Sequence, residues 1–262
     1  MYIIFLAISF FASVIGAICG IGGGVIIKPV LDATGVMGVS SISFLSGCTV
    51  LSMSLISVFR NRKNVGESAV DFKTATPMAI GAAIGGVAGK EIFQYAYVLL
   101  PDENKVGAIQ AAVLVLITAG TLIYVLRSAT IRTRHVRNAA ACAIIGLLLG
   151  LISAFLGIGG GPINLVVLAY FFSMETKMAA ACSLYIIMFS QLTSFASTLI
   201  GGKVPEFEVL ILVLMVFGGV AGGMAGGKIN KKISSEHVNK LFIGLMIVII
   251  LINIYNVIKF LG

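Results

Sequence analysis

The sequence predicts an all-α, polytopic membrane protein made of two inverted repeats, each a glycine-tipped helical hairpin followed by three transmembrane helices. Three observations predict it. Of the 262 residues, 59% are apolar and only 11% charged, whereas an ordinary globular domain carries about 45–50% and about 25%. The apolar residues run unbroken for about twenty positions at a time, the length a helix needs to cross the hydrocarbon core. The chain also repeats itself. Gly20-Ile21-Gly22-Gly23-Gly24 returns 137 residues later as Gly157-Ile158-Gly159-Gly160-Gly161, and Gly85-Gly86-Val87-Ala88-Gly89 returns 133 residues later as Gly218-Gly219-Val220-Ala221-Gly222. A shortened loop at 201–206 accounts for the change of offset.

The first repeat, residues 1–127, holds apolar segments at 2–18, 24–37, 39–59, 74–97 and 106–126. A basic linker, 128–137, follows. The second repeat, 138–262, holds segments at 138–156, 162–173, 178–200, 207–227 and 238–258. Residues 2–18 lack a basic n-region and a small-x-small cleavage site, so they are expected to stay in the mature protein rather than leave as a signal peptide. In each half the arm after the glycine cluster is only 12 to 14 residues long. At 1.5 Å per residue it reaches about 18–21 Å, short of the roughly 30 Å core. Segments 2–18/24–37 and 138–156/162–173 therefore read as hairpins whose two ends lie on one side, re-entrant or barely crossing. Each half then crosses an odd net number of times, and odd repeats must be inverted.

Charge placement agrees with inversion. That scheme gathers Arg60, Arg62, Lys63, Lys73, Arg127, Arg132, Arg134, Arg137, Lys177, Lys228, Lys231, Lys232 and Lys240 on one side. Only Lys28, Lys90, Lys105, Lys203 and Lys259 fall opposite. Cytoplasmic loops carry such an excess of Lys and Arg, so both termini are expected outside. The net charge of +8 thus orients the chain in a membrane, whose lipid is a partner. It forms no contiguous basic face with interleaved aromatics, so nucleic acid is not expected as one. Cys19, Cys48, Cys142 and Cys182 form no CxxC pair and support neither a disulfide framework nor a metal site.

The glycine clusters are the most informative feature. At membrane depth, irregular backbone is tolerated only where protein buries it or it lines a cavity. A cluster that opens a short helix offers unpaired N–H groups at a positive dipole end, which suits an anion. Gly22, Gly23, Gly24, Gly159, Gly160 and Gly161 are therefore candidate binding residues; the other reading is that they let two hairpins pack tightly. On the binding reading, a Cβ at Gly23 or Gly160 is expected to crowd the approach of the tips and abolish anion binding. Gly81, Gly85 and Gly89, with Gly218, Gly222 and Gly226, recur every fourth residue and read as helix-packing faces. The helix after each hairpin carries a polar stripe: Ser43, Ser46, Ser54 and Ser57, then Ser183, Ser190, Ser194 and Ser197 with Gln191 adjacent. Some of these hydroxyls bond only to their own helix; Ser46, Ser183, Ser190 and Gln191 are candidates to face the tips. Lys28 and Asn164 follow the clusters by four and three residues, Lys28 offering a charge at the outer mouth or snorkelling to the interface.

Absences narrow the function. No Asp or Glu occupies the middle of a spanning segment, where proton and cation carriers usually place one. His135 and His237 lie in or beside basic loops, and no phosphate-loop signature occurs. An ATP-driven pump and an enzyme are both disfavoured, and no cofactor is expected.

Around the paired Gly-Ile-Gly-Gly-Gly clusters the chain resembles the TauE/SafE family of sulfite and organosulfur anion exporters. The second cluster, Gly157 to Pro162, followed by Ala181-Cys182-Ser183-Leu184, carries the resemblance most closely, while Phe44-Leu45-Ser46-Gly47 departs from the small polar pattern. The resemblance spans the whole chain. It implies secondary transport of a small sulfur-containing or carboxylate anion across the bacterial inner membrane. The other readings are a passive anion channel and a non-transporting assembly or sensor subunit; the latter is expected to carry an appended soluble domain or a long tail. A homo-oligomer is left open.

Overall fold

A computed structural model describes residues 2–61, 69–100 and 102–262, and all its regular structure is helical. Ten α-helices follow in order: α1 Tyr2–Cys19, α2 Gly24–Thr34, α3 Val39–Asn61, α4 Phe72–Leu99, α5 Glu103–Arg127, α6 Ala139–Leu156, α7 Pro162–Phe172, α8 Thr176–Ile200, α9 Val209–Lys232 and α10 Ser235–Leu261. Among the described residues seven helices are long and apolar enough to cross a membrane: α1, α3, α5, α6, α8, α9 and α10. The chain is a multi-pass membrane protein. Arg62, Lys63 and Asn64 of the basic loop lie outside the described residues.

Helix ends are set by local chemistry. Asp71, Asp102 and Asn138 each accept a backbone N–H of the first turn of α4, α5 and α6, the usual stabilising use of a short polar side chain at that position. Gly157 stops α6 and Gly35 stops α2 in the left-handed conformation, at φ 66° in both, which glycine adopts without steric cost. The first arm of each hairpin, α1 and α6, has 18 residues. The second arms, α2 and α7, have 11 each, or about 16 Å of helix. They return from within the bundle rather than crossing it.

The halves are interleaved. α1 packs along α9 and α6 along α4, so each repeat lends its first helix to the other; α3 packs on α8 and α5 on α10. The recurrent glycines make the close pairs possible. A Cβ at Gly81 or Gly89 would fall on the carbonyl of Ala143 or Leu151, and one at Gly222 or Gly226 on that of Phe10 or Val14. Apolar side chains such as Ile3, Leu116, Leu148, Phe217 and Ile258 point outward and are more than half exposed. Such a girdle would be a liability in water and is the lipid-facing surface of a membrane bundle.

Hydrogen bonds tie the helix ends into two opposite caps. At one cap Ser173 donates to Thr133, the backbone N–H of Arg134 to Tyr170, and Thr176 to Asn239. At the other Tyr2 donates to Glu208, Ser41 to the Glu206 carbonyl and Lys259 to the Ala33 carbonyl. The first cap holds the 127–137 linker, and the second holds the start of α1 and the end of α10, an arrangement that fits inverted repeats. Single-cysteine labelling in a cysteine-free background reads the orientation. An impermeant thiol reagent added outside should modify Val204→Cys and spare Ser234→Cys. Labelling of Ser234→Cys from outside while Val204→Cys and Arg132→Cys in the linker are spared would replace the inverted arrangement with a parallel one.

Candidate functional site

The two hairpin tips meet at the middle of α3 and α8. A Cβ at Gly24 would strike the carbonyl of Ile158 and lie 2.9 Å from Ser46 Oγ, while one at Gly160 would lie 3.2 Å from the Ile21 carbonyl. Val50 and Ile187, near the midpoints of α3 and α8, close around them. A Cβ at Gly22 would touch both side chains, at 3.4 and 3.6 Å, and one at Gly159 would lie 2.8 Å from Val50. Gly22 and Gly159 hold φ of 79° and 72°, a region strained for any residue with a Cβ. Gly23 does not: it is helical at φ −71°, ψ −22°, and a Cβ there would meet Ser13 of its own hairpin at 3.0 Å. Gly161 is fully extended and leads into Pro162 at the first helical position, where the missing N–H costs nothing.

The starts of α2 and α7 therefore sit inside the bundle, and neither Gly23 nor Gly161 supplies a side-chain cap. Helix starts without a cap leave N–H groups to be satisfied by something else. Around them stand polar groups that also lack partners. Ser46 Oγ and Ser43 Oγ and the amide Oδ1 of Asn164 are buried without a hydrogen bond, an expensive condition unless a ligand or water completes it. Asn164 donates to Ser183 Oγ at 3.4 Å. By contrast, Thr49, Ser52, Ser54 and Thr198 donate to carbonyls of their own helices.

Two residues singled out in the sequence stand elsewhere. Lys28 neither snorkels nor offers a free charge: it is buried and donates to Asp32 at 2.6 Å, one turn on in α2. Ser190 faces α4, where its carbonyl and Oγ would lie 2.6 and 3.0 Å from a Cβ at Gly86.

The tips form a plug, and a cavity lies on either side of it, at opposite ends of the α3–α8 pair. One, of about 40 Å³, is lined by Ala17, Ser57, Arg60, Lys177, Ala180, Ala181, Leu184, Gly223, Lys228 and Lys231 among others. The other, of about 30 Å³, is lined by Ser43, Phe44, Gly47, Cys48, Lys90, Ala154, Gly157, Gln191, Ser194 and Thr198 among others. The internal repeat carries one wall onto the other. Ser43, Phe44 and Gly47 correspond to Ala180, Ala181 and Leu184, Ala17 to Ala154, Ser57 to Ser194, and Lys90 to Gly223. Neither cavity has a carboxylate in its lining. Both suit an anion by charge, one through a basic rim and one through Lys90.

Lys90 is the residue that sequence reading passed over, as one of five lysines away from the basic loops. The signal that finds it is the repeat itself: a charge inside a glycine face of α4 whose counterpart in α9 is Gly223. It is 8% exposed, and its ammonium lies 5.1 Å from the Phe93 ring centroid. Among the described residues no carboxylate reaches it within 4 Å; the neighbouring Glu91 pairs with Lys203 at 3.1 Å instead. Lys90 also borders an outer recess of about 450 Å³ whose lining includes Ser40, Gln94, Tyr97 and the Glu91–Lys203 ion pair.

The chain is 24% identical over 238 residues to the "Probable membrane transporter protein YunE" of Bacillus subtilis (strain 168), covering 81% of this chain and 83% of that protein. No solved structure matches. Residues 5–252 match the family described as "Sulfite exporter TauE/SafE", and the chain belongs to that family.

Proposed function

We propose that this protein is a secondary carrier for small anions (sulfite, thiosulfate, sulfonates or related organic anions) in the bacterial inner membrane, working by alternating access and catalysing no covalent reaction. One observation carries the reading. Two cavities related by the internal repeat lie on either side of a plug formed by both glycine tips, and both are lined by cations, hydroxyls and no carboxylate. A pair of half-sites at positions related by the repeat, one at each end of one helix pair, is what a rocking carrier needs, since opening one and closing the other exchanges two similar conformations. The plug argues against a permanently open anion channel. The family's description and the relative's printed name point the same way. The partners in this reading are the anion and the surrounding lipid.

The test is flux into liposomes holding the purified protein. Uptake of sulfite should saturate, and thiosulfate or a small sulfonate should compete with it, whereas Na⁺ and K⁺ should not be carried on their own. Saturable transport of a bare cation with no dependence on the anion would overturn the reading. Flux linear in sulfite concentration would replace the carrier with a channel.

A further inference from the structure

We propose that Lys90 is the outward-facing anion ligand of this protein, binding a compact oxyanion together with Gln191, Ser43 and Ser194 in the small cavity beside Gly157. The proposal rests on the carrier reading above but names a site of its own.

A buried ammonium is costly unless paired, and Lys90 has no carboxylate partner within reach among the described residues. Its ammonium lies over the face of Phe93, which stabilises a cation only modestly, while Glu91, next in the chain, pairs with Lys203. Lys28, equally buried, shows how this fold treats a lysine that serves structure: it gives it Asp32. The groups that share the cavity with Lys90 are neutral donors. Ser43 Oγ is buried without a partner, and Gln191 and Ser194 are 5% and 9% exposed. An ammonium, an amide and hydroxyls converging on one space complement an anion with several oxygens, and charge-assisted bonds of this kind are the strong ones.

Size and position narrow the ligand and the route. About 30 Å³ is space on the scale of two ordered waters, which a compact oxyanion displaces and a bulky organic acid does not. Lys90 belongs to both this cavity and the outer recess, so it stands where an anion entering from that side is first desolvated. The equivalent point of the other cavity is Gly223, with cations at the rim instead. The two half-sites therefore bind the same anion by different means, a built-in asymmetry between the two directions of transport.

The experiment compares wild-type protein, Lys90→Met and Lys90→Arg, using sulfite as the probe in thermal unfolding and in liposome flux. Lys90→Met removes an uncompensated buried charge, so without sulfite it should melt at or above the wild-type temperature. Its sulfite-dependent rise in melting temperature should vanish, and half-saturation for sulfite flux should rise by about tenfold or more, the loss expected for one hydrogen bond to a charged group. Lys90→Arg should keep part of both. Wild-type sulfite affinity in folded Lys90→Met would overturn this inference while saturable flux left the carrier reading standing. Absence of saturable flux in the wild type would end the carrier reading, yet a sulfite-dependent melting shift lost in Lys90→Met would still place the ligand at Lys90. Should Lys90→Met prove unrecoverable, Gln191→Leu decides: weakened sulfite binding supports the site, and unchanged binding overturns it.

Discussion

Gly85→Ala is expected to lower the melting temperature of the purified protein by about 10 °C, although it adds only one methyl group, on a helix that carries neither hairpin tip. The added Cβ would fall on the backbone carbonyl of Leu147 and lie 2.8 Å from the Leu151 nitrogen. A clash with a side chain can be relieved by a rotamer change, but here two helix backbones must separate. Gly81 and Gly89 on the same face, and Gly146 and Gly150 on the facing helix, interlock in the same way, so separation at one point loosens the whole α4–α6 seam. Overpacking commonly costs about 1–3 kcal/mol and occasionally more, and a protein of this size loses roughly 2–4 °C per kcal/mol. Gly222→Ala should do the same to the α1–α9 seam through the Phe10 carbonyl. Gly120→Ala and Gly244→Ala are the controls: both positions face open space, and alanine there should be neutral or raise stability by up to about 1 kcal/mol through helix propensity. The measurement is thermal unfolding in detergent. A Gly85→Ala protein that melts within about 2 °C of wild type would mean the seam is held by something other than backbone approach.

That seam is legible in the amino-acid sequence, because a glycine every fourth residue has few uses other than letting helices touch. The ten helices are legible for an equally simple reason. Hydrophobic runs of membrane length admit one secondary structure, and the glycine clusters and polar loops between them mark its ends. Helix boundaries depart from the apolar runs by up to three residues where a capping side chain decides the matter: Asp71 starts α4 two residues before the apolar run at 74, and Asp102 starts α5 three before the run at 106. The two short arms stand out by length alone.

What lies beyond the sequence is which polar side chains share a space. Lys28 and Lys90 illustrate it. Lys28 lies four residues from a glycine cluster and invites a role there, but helix geometry puts Asp32 one turn away on the same face, and the pair satisfies itself. Lys90 lies far from either cluster in the chain, and only the packing of α4 against α6 and α8 brings it to the cavity beside Gly157. The i, i+4 rule is enough to discount Lys28. For Lys90 the clue is a mismatch between the repeats, a charge where the other half keeps a glycine. A repeat that keeps its packing but not its charge marks where the two halves do different work.

The hairpin tips supply the other large effect, and there the internal symmetry misleads. Gly24 and Gly161 are equivalent positions, so symmetry alone would give alanine the same consequence at each. The structure separates them. A Cβ at Gly24 would strike the Ile158 carbonyl and crowd Ser46 Oγ at 2.9 Å, whereas one at Gly161 would meet only the end of the Ile158 side chain, at 3.2 Å. Neither backbone is strained, since Gly24 opens α2 and Gly161 is extended; the difference is wholly one of space. Gly24→Ala should therefore push the tips apart and reduce sulfite flux at least about tenfold, on the scale at which a small misplacement at a functional centre costs two orders of magnitude. Gly161→Ala should keep flux within about twofold, because a side-chain terminus gives way for a few tenths of a kcal/mol. Both proteins should remain monodisperse, the tips being a small part of the buried surface. The readout is flux per folded protein in liposomes. Equal losses at the two positions would mean that the tips move as a symmetric pair and do not meet through the Gly24–Ile158 contact.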